Sequence, residues 1–151
     1  MKVAEGRIGR VFVLRLEDGD TLPGCVERFA QEHGVLRAYC SLLGGVGSGN
    51  IVTGPECGPD GTTSMPPKPV LTELPGVHEA AAVGTLFPDE SGTPRLHMHG
   101  VFGRGDEVLA GCIRPGIDIW TIGECVIMEL TGMQLTRKRD LATGFELLSA
   151  D

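Results

Sequence analysis

The sequence is short of aromatic residues and has no long hydrophobic run. One Trp, one Tyr and five Phe occur among 151 residues, so the core must be built mainly from Val, Leu, Ile and Ala. No segment approaches the roughly 20 consecutive apolar residues of a membrane-spanning helix, which predicts that the protein has no membrane partner. Residues 1–5 lack the apolar stretch of a signal peptide. We therefore expect a cytoplasmic location.

The five cysteines show neither the spacing of a secreted disulfide framework nor a paired CxxC zinc motif. Their number is odd, and thiols stay reduced in the cytoplasm. We therefore expect free thiols at Cys25, Cys40, Cys57 and Cys125.

Positive charge is also scarce. The chain has 13 Lys and Arg against 20 Asp and Glu, a net charge of −7. Proteins that bind nucleic acid by neutralising phosphates usually carry a basic surface, so this balance argues against tight, autonomous DNA binding. The one basic cluster, Arg137-Lys138-Arg139, is typical of a solvated strand or turn.

Glycine and proline are abundant, with 23 and 10 residues, which predicts many turns and a β-rich chain. The Gly-rich run 44–50 lacks the GK[ST] of a P-loop and is predicted to be a bulged or kinked strand. Apolar residues at helical spacing predict one clear helix over about 22–33, with Gly34 as its left-handed cap. No repeat or boundary divides the sequence, so we expect one domain over 1–151.

The most informative stretch is Leu96-His97-Met98-His99-Gly100, which places two imidazoles two residues apart in a predicted strand. Side chains two apart on a strand point to the same face, so His97 and His99 are neighbours. The following turn residues, 103–106, predict a β-hairpin that returns the chain to Cys112.

The register of this hairpin decides where the thiol lies. An even loop centred between Arg104 and Gly105 pairs residues whose numbers sum to 209, which sets Cys112 opposite His97 and diagonal to His99. A three-residue loop with a bulge would instead turn Cys112 to the other face.

Two imidazoles and a thiolate on one face suit a divalent transition metal, most of all zinc. Three protein ligands would leave a fourth position for water or another residue. The alternative is structural, since a His pair can sit on a half-buried strand and a buried Cys often acts as a small hydrophobe.

Two carboxylates in apolar strands, Glu79 and Glu124, are the candidates for a catalytic general base, because an unpaired carboxylate there would be costly. Glu79 is also the candidate to orient or replace a metal-bound water. The alternative for both is a structural ion pair with an arginine such as Arg95 or Arg114.

Taken together, these motifs resemble the plant and prokaryote conserved (PPC) domain, in its stand-alone prokaryotic form. The resemblance runs from about Val11 to Leu130. It rests on Leu14-Arg15-Leu16 followed by Gly19-Asp20 and the helix, the Gly-rich segment 43–49, Gly76-Val77-His78-Glu79 with Gly84, Leu96-His97-Met98-His99, Gly111-Cys112 and Glu124.

The resemblance implies an α+β fold, a mostly antiparallel sheet of about seven strands with one main helix packed on it, and a homotrimer. Most single-domain members have a His where this chain has Cys112, and both residue types are good zinc ligands. No AT-hook occurs here, because the sequence contains no Arg-Gly-Arg-Pro core. The DNA contact that plant relatives make through that hook therefore does not carry over.

Two functions follow as competing hypotheses. The first is a metal-binding homotrimer with a DNA-binding or regulatory role, acting through nucleic acid or regulatory proteins and without catalysis of its own. The second is a small zinc-dependent enzyme that uses a His/His/Cys site with a carboxylate base. An open metal position in a cavity lined by carboxylates would favour the enzyme.

Overall fold

The computed structural model describes residues 1–150, in which ten strands and one helix are found. No helix in this part of the chain is long and apolar enough to cross a membrane. The elements in chain order are β1 (Arg7–Glu17), β2 (Thr21–Leu22), α1 (Gly24–Glu32), β3 (Ala38–Pro55), β4 (Pro69–Glu73), β5 (His78–Pro88), β6 (Pro94–Arg104), β7 (Glu107–Cys112), β8 (Ile117–Thr131), β9 (Leu135–Arg139) and β10 (Glu146–Ala150).

Eight strands form one antiparallel sheet in the order β1-β8-β3-β5-β6-β7, with β2 paired to β8 and β4 paired to β3. A further pairing of Val52 with Cys112 brings the end of β7 back to β3. This part of the sheet therefore curls round on itself. Strands β9 and β10 form a separate two-stranded ribbon. The arrangement confirms the predicted α+β fold, with a mostly antiparallel sheet and one main helix.

Helix α1 covers one face of the sheet and closes the core. Its Cys25, Val26 and Ala30 are buried among the apolar side chains of the sheet. The helix lies where the apolar spacing predicted it, and Gly34 follows it with the expected positive φ of +64°. Glu27 accepts a hydrogen bond from the Leu96 backbone N–H at 2.9 Å. That bond ties the helix to β6, the strand that carries the His pair.

Strand β3 contains the Gly-rich run and is irregular there, as the sequence predicts. Its pairing with β8 shifts register between Gly44 and Val46 and again between Val46 and Ser48. Gly44 has a φ of +143°, and a Cβ at this position would lie 2.4 Å from the Ile122 carbonyl oxygen. Only glycine allows the two backbones to approach so closely.

The ribbon of β9 and β10 corrects the interpretation of Arg137-Lys138-Arg139 as a solvated cluster. Arg137 is only 4% exposed, whereas Arg139 is exposed. Successive side chains of a strand point to opposite sides, so the middle of β9 turns one guanidinium inwards. Its Nη2 donates hydrogen bonds to the carbonyl and hydroxyl oxygens of Thr85 on β5, both at 3.2 Å.

Candidate metal centre

Successive side chains of strand β6 point alternately to the core and to the candidate site. Leu96, Met98 and Phe102 are buried on the side that faces the core. His97 and His99 lie between them in sequence and therefore point to the opposite, outer face of the sheet. His97 is partly buried there and His99 is exposed. The predicted placement of both imidazoles on one face is confirmed.

The hairpin register differs from the prediction. The turn residues are Gly105 and Asp106, and His99 pairs with Cys112, so paired residue numbers sum to 211 rather than 209. Gly105 takes a φ of +58° at the first central position, which is the pattern of a type II′ turn. The predicted pairing of His97 with Cys112 is wrong, and Cys112 is diagonal to His97. The face is preserved because the difference equals one full period of a strand.

The three side chains converge closely enough to share one ion. One ligand atom each from His97, His99 and Cys112 lies within 4.8 Å of the others, and this is the one such group of three within residues 1–150. The two Nε2 atoms are 3.0 Å apart, with ring planes at 70°. Two nitrogens bound to one tetrahedral zinc lie about 3.3 Å apart, given Zn–N bonds of roughly 2.0–2.1 Å. Small side-chain rotations would therefore accommodate the ion.

The electrostatic surroundings keep one imidazole ready to bind a metal. The pKa of His97 is lowered to about 4, first by burial and then by the nearby charges of Arg137, His99 and Arg114. The ring is therefore neutral at pH 7 and offers a nitrogen lone pair. Cys112 is 8% exposed, so the three ligands range from a buried thiol to an exposed imidazole. Because exposure increases from Cys112 to His99, the three-ligand group is open to solvent on the side of His99.

The structure does not bring either candidate carboxylate to the three ligands. Glu79 shares the outer face but lies four residues along β5 from Val83, the partner of His99, about 13 Å at the usual strand rise. Glu124 is on β8, three strands away from β6, about 14 Å at the usual strand spacing. Both side chains are exposed, so neither needs a buried partner.

The predicted ion pairs of these carboxylates are not formed either. Arg95 pairs with Asp89 at 2.9 Å and with Glu27 at 3.7 Å. Arg114 forms no salt bridge with any residue from 1 to 150.

Three of the other four cysteines are unsuited to metal binding. All five form no disulfide, and these include the four other than Cys112 that were expected to be free thiols. Cys25, Cys40 and Cys125 are buried in the core, and burial is the main cause that raises their pKa values to about 11, 12 and 12. Such thiols remain protonated and are poor ligands and nucleophiles. Cys57 is exposed and lies far from the His pair in the chain.

Sequence reasoning missed two residues of the site, Arg114 and Arg137. The Arg137 guanidinium donates a hydrogen bond to Thr85, and Thr85 is the cross-strand partner of His97. Arg114 follows Cys112 by two residues, and its charge acts on both His97 and Arg137. Side-chain alternation along β9 could have indicated that one of the three basic residues faces inwards. The local sequence does not indicate which surface that residue contacts.

The chain is similar to a known protein family and to solved structures. The model of the Plants and Prokaryotes Conserved (PCC) domain matches residues 3–131. The metal-containing protein AF0104 from Archaeoglobus fulgidus is 28% identical, with a TM-score of 0.80 and coverage of 97% of this chain and 98% of that one. Among curated proteins, none matches this chain.

Two more distant structures share the fold. A plant- and prokaryote-conserved (PPC) protein from Pyrococcus horikoshii is 19% identical, with a TM-score of 0.80 and 99% of both chains covered. A candidate DNA-binding protein from Bacteroides thetaiotaomicron is 15% identical, with a TM-score of 0.76 and coverage of 96% of this chain and 97% of that one.

Proposed function

The chain belongs to the Plants and Prokaryotes Conserved domain family, and from that premise we propose that it is a metal-binding homotrimer with a regulatory role and no catalysis of its own. The observation that carries the proposal is the convergence of His97, His99 and Cys112 within 4.8 Å. The partners it would regulate are proteins or nucleic acid reached through them, since the net charge of −7 disfavours direct duplex binding.

Zinc is the metal we propose. Imidazole nitrogen and thiolate sulfur suit zinc better than magnesium or calcium, which prefer oxygen. The relative from Archaeoglobus fulgidus is described as metal-containing and aligns over nearly the whole chain. The family resemblance implies that Cys112 replaces a His found in most single-domain members, and the exchange retains a ligand.

The outer face of the sheet supports the proposed trimer. A row of paired residues crosses six strands from Val13 through Val126, Ser41 and Val83 to His99 and Cys112. Within this row and next to it lie exposed apolar side chains, of which Val13 is 73% exposed, Leu43 60%, Val83 55%, Val101 51% and Val108 67%. Contiguous apolar patches of this kind mark interaction surfaces. Further copies of the chain are the occupants we propose.

A small zinc enzyme is the second candidate function. It is favoured by the exposed side of His99, because three protein ligands leave a position for water or substrate. Within one chain, neither Glu79 nor Glu124 lies close to the three ligands, which weighs against either as a general base. Binding without catalysis is therefore the better supported of the two.

Metal content tests the proposal directly. Wild-type protein purified without chelator or affinity-column metal should contain about one zinc per chain by elemental analysis, since three ligands converge once per chain. The double variant His97→Ala, His99→Ala should contain none, whereas Cys112→His should retain it. Cobalt substitution adds a readout, since a thiolate ligand gives a charge-transfer band that Cys112→His would lack.

The matched control is Cys57→Ser, which removes an exposed thiol outside the site and should leave metal content unchanged. The proposal fails if wild-type protein takes up no zinc on dialysis, or if the double histidine variant holds as much zinc as wild type.

A further inference from the structure

A buried guanidinium without a carboxylate partner lies beside the candidate metal centre. Arg137 is 4% exposed, and its Nε is buried without a hydrogen-bond partner in the described chain. No residue from 1 to 150 forms a salt bridge with it. A buried charge that lacks a counter-charge is strongly destabilising. The fold therefore retains a positive charge here at a cost in stability.

The position of Arg137 is fixed by two contacts on the outer face. Its Nη2 bonds to Thr85, whose cross-strand partner is His97. Its guanidinium lies over the ring of Phe87, with the central carbon 5.8 Å from the ring centroid. Directly paired strand residues have Cβ atoms about 5 Å apart, so this charge is a fixed neighbour of the His pair.

A second guanidinium, that of Arg114, approaches the same point from the loop after β7. The Ile113 backbone N–H donates to the Met98 carbonyl at 3.1 Å, which continues the pairing of His99 with Cys112 and brings Arg114 alongside His97. In agreement with this placement, the charge of Arg114 helps to lower the pKa values of His97 and Arg137. The side chain is exposed and has no ion-pair partner among the described residues. The attraction of Glu146 for Arg137 is the smallest of the three influences on the pKa of that group.

Two positive side chains beside a bound divalent cation would favour binding of an anion. With zinc and a Cys112 thiolate, the site would carry a local charge near +3 on a protein whose net charge is −7. Guanidinium groups match carboxylate and phosphate oxygens through paired N–H donors. The three protein ligands leave one metal position for an oxygen of the same anion.

We propose that Arg114, Arg137 and the metal bound by His97, His99 and Cys112 form a binding site for a small oxyanion, a carboxylate or phosphate group. This inference rests on the proposed metal centre. Arg114 contacts the anion from solvent, and Arg137 acts as a fixed charge behind the metal ligands. The anion completes the coordination of the metal, so the ligand that a regulatory trimer would sense is a small acid.

Titration of zinc-loaded protein with inorganic phosphate, and separately with acetate, tests the site and distinguishes the two sources of oxyanion. Binding is followed by calorimetry and by the spectrum of cobalt-loaded protein. Arg114→Gln should weaken binding of the preferred anion about 10-fold or more, the usual effect of losing a charge-assisted hydrogen bond. Arg137→Lys should weaken it less than Arg137→Gln, because it keeps the charge.

The matched control is Arg28→Gln, which removes the same charge from the exposed side of α1, across the core from His97. The site is refuted if neither anion binds, or if Arg114→Gln and Arg28→Gln bind the anion equally. It is also refuted if Arg137→Gln dissociates the trimer while Arg114→Gln binds phosphate as wild type does, since Arg137 would then serve a subunit contact.

Metal content is measured in every sample, which separates this inference from the proposed function. Loss of anion binding with zinc retained overturns the anion site alone. Absence of zinc in wild type overturns the metal centre and the anion site together, and arginine-dependent phosphate binding by that metal-free protein would show that the two arginines bind the anion without a metal.

Discussion

At the scale of single residues, the site depends on how burial changes ordinary side chains. His97 is partly buried in the outer face, and burial together with the nearby charges of Arg137, His99 and Arg114 lowers its pKa to about 4. A histidine whose pKa falls on folding contributes stability above its unfolded value, near 6.5. That contribution is lost as the pH falls from about 6.5 towards 4.

Metal-free wild-type protein should therefore lose stability on acidification from pH 7 to pH 5, and His97→Gln should lose less. Because the ring is only partly buried, solvent screening limits the expected difference to about 1 kcal/mol. Denaturant midpoints at the two pH values measure it, and an NMR titration of the His97 ring should give a pKa below 5. An ordinary titration near 6.5 would contradict the electrostatic account.

At the scale of elements, the irregularity of β3 follows from one close approach. Gly44 and Gly54 have nearly the same φ, +143° and +141°. A Cβ at Gly44 would meet the Ile122 oxygen at 2.4 Å, whereas a Cβ at Gly54 would meet nothing within 4 Å. The pair therefore separates the cost of backbone conformation from the cost of steric contact.

Gly54→Ala should destabilise the protein by about 1–2 kcal/mol through conformation alone. Gly44→Ala should cost about 2 kcal/mol more, because a backbone carbonyl must move. Urea unfolding of both variants gives the comparison. Equal losses would show that the contact between β3 and β8 relaxes freely.

The same elements show how far sequence reasoning reaches. Alternation placed His97 and His99 together, and helical spacing located α1, because both patterns are local. The hairpin register required knowing that Gly105, rather than Arg104, begins the two-residue turn. The return of Cys112 to Val52 and the insertion of Arg137 against Thr85 join segments distant in sequence, so no local pattern could indicate them.

At the scale of the whole molecule, the packing of a single chain does not account for the exposed apolar side chains on the outer face of the sheet. Val83 lies near its centre, in the row that ends at His99 and Cys112. Val83→Asp should dissociate the proposed trimer at micromolar concentration, because a carboxylate would have to be buried without a partner. Sedimentation equilibrium checks this.

Leu141→Asp is the control, since Leu141 is 92% exposed and lies between β9 and β10. Wild-type protein that sediments as a monomer would refute the trimer.

Net charge limits the affinity of the whole molecule for nucleic acid. A net charge of −7 and the lack of an AT-hook leave little to neutralise phosphates, and burial removes Arg137 from the basic cluster. Duplex DNA should bind no tighter than the roughly 10⁻⁴–10⁻⁶ M typical of non-specific contacts, and the affinity should fall steeply with salt. Residual binding should weaken further in Arg139→Gln. Anisotropy of a labelled duplex at low and physiological salt measures both effects. Nanomolar, sequence-specific binding at physiological salt would instead mean that the trimer assembles a basic surface which the single chain does not possess.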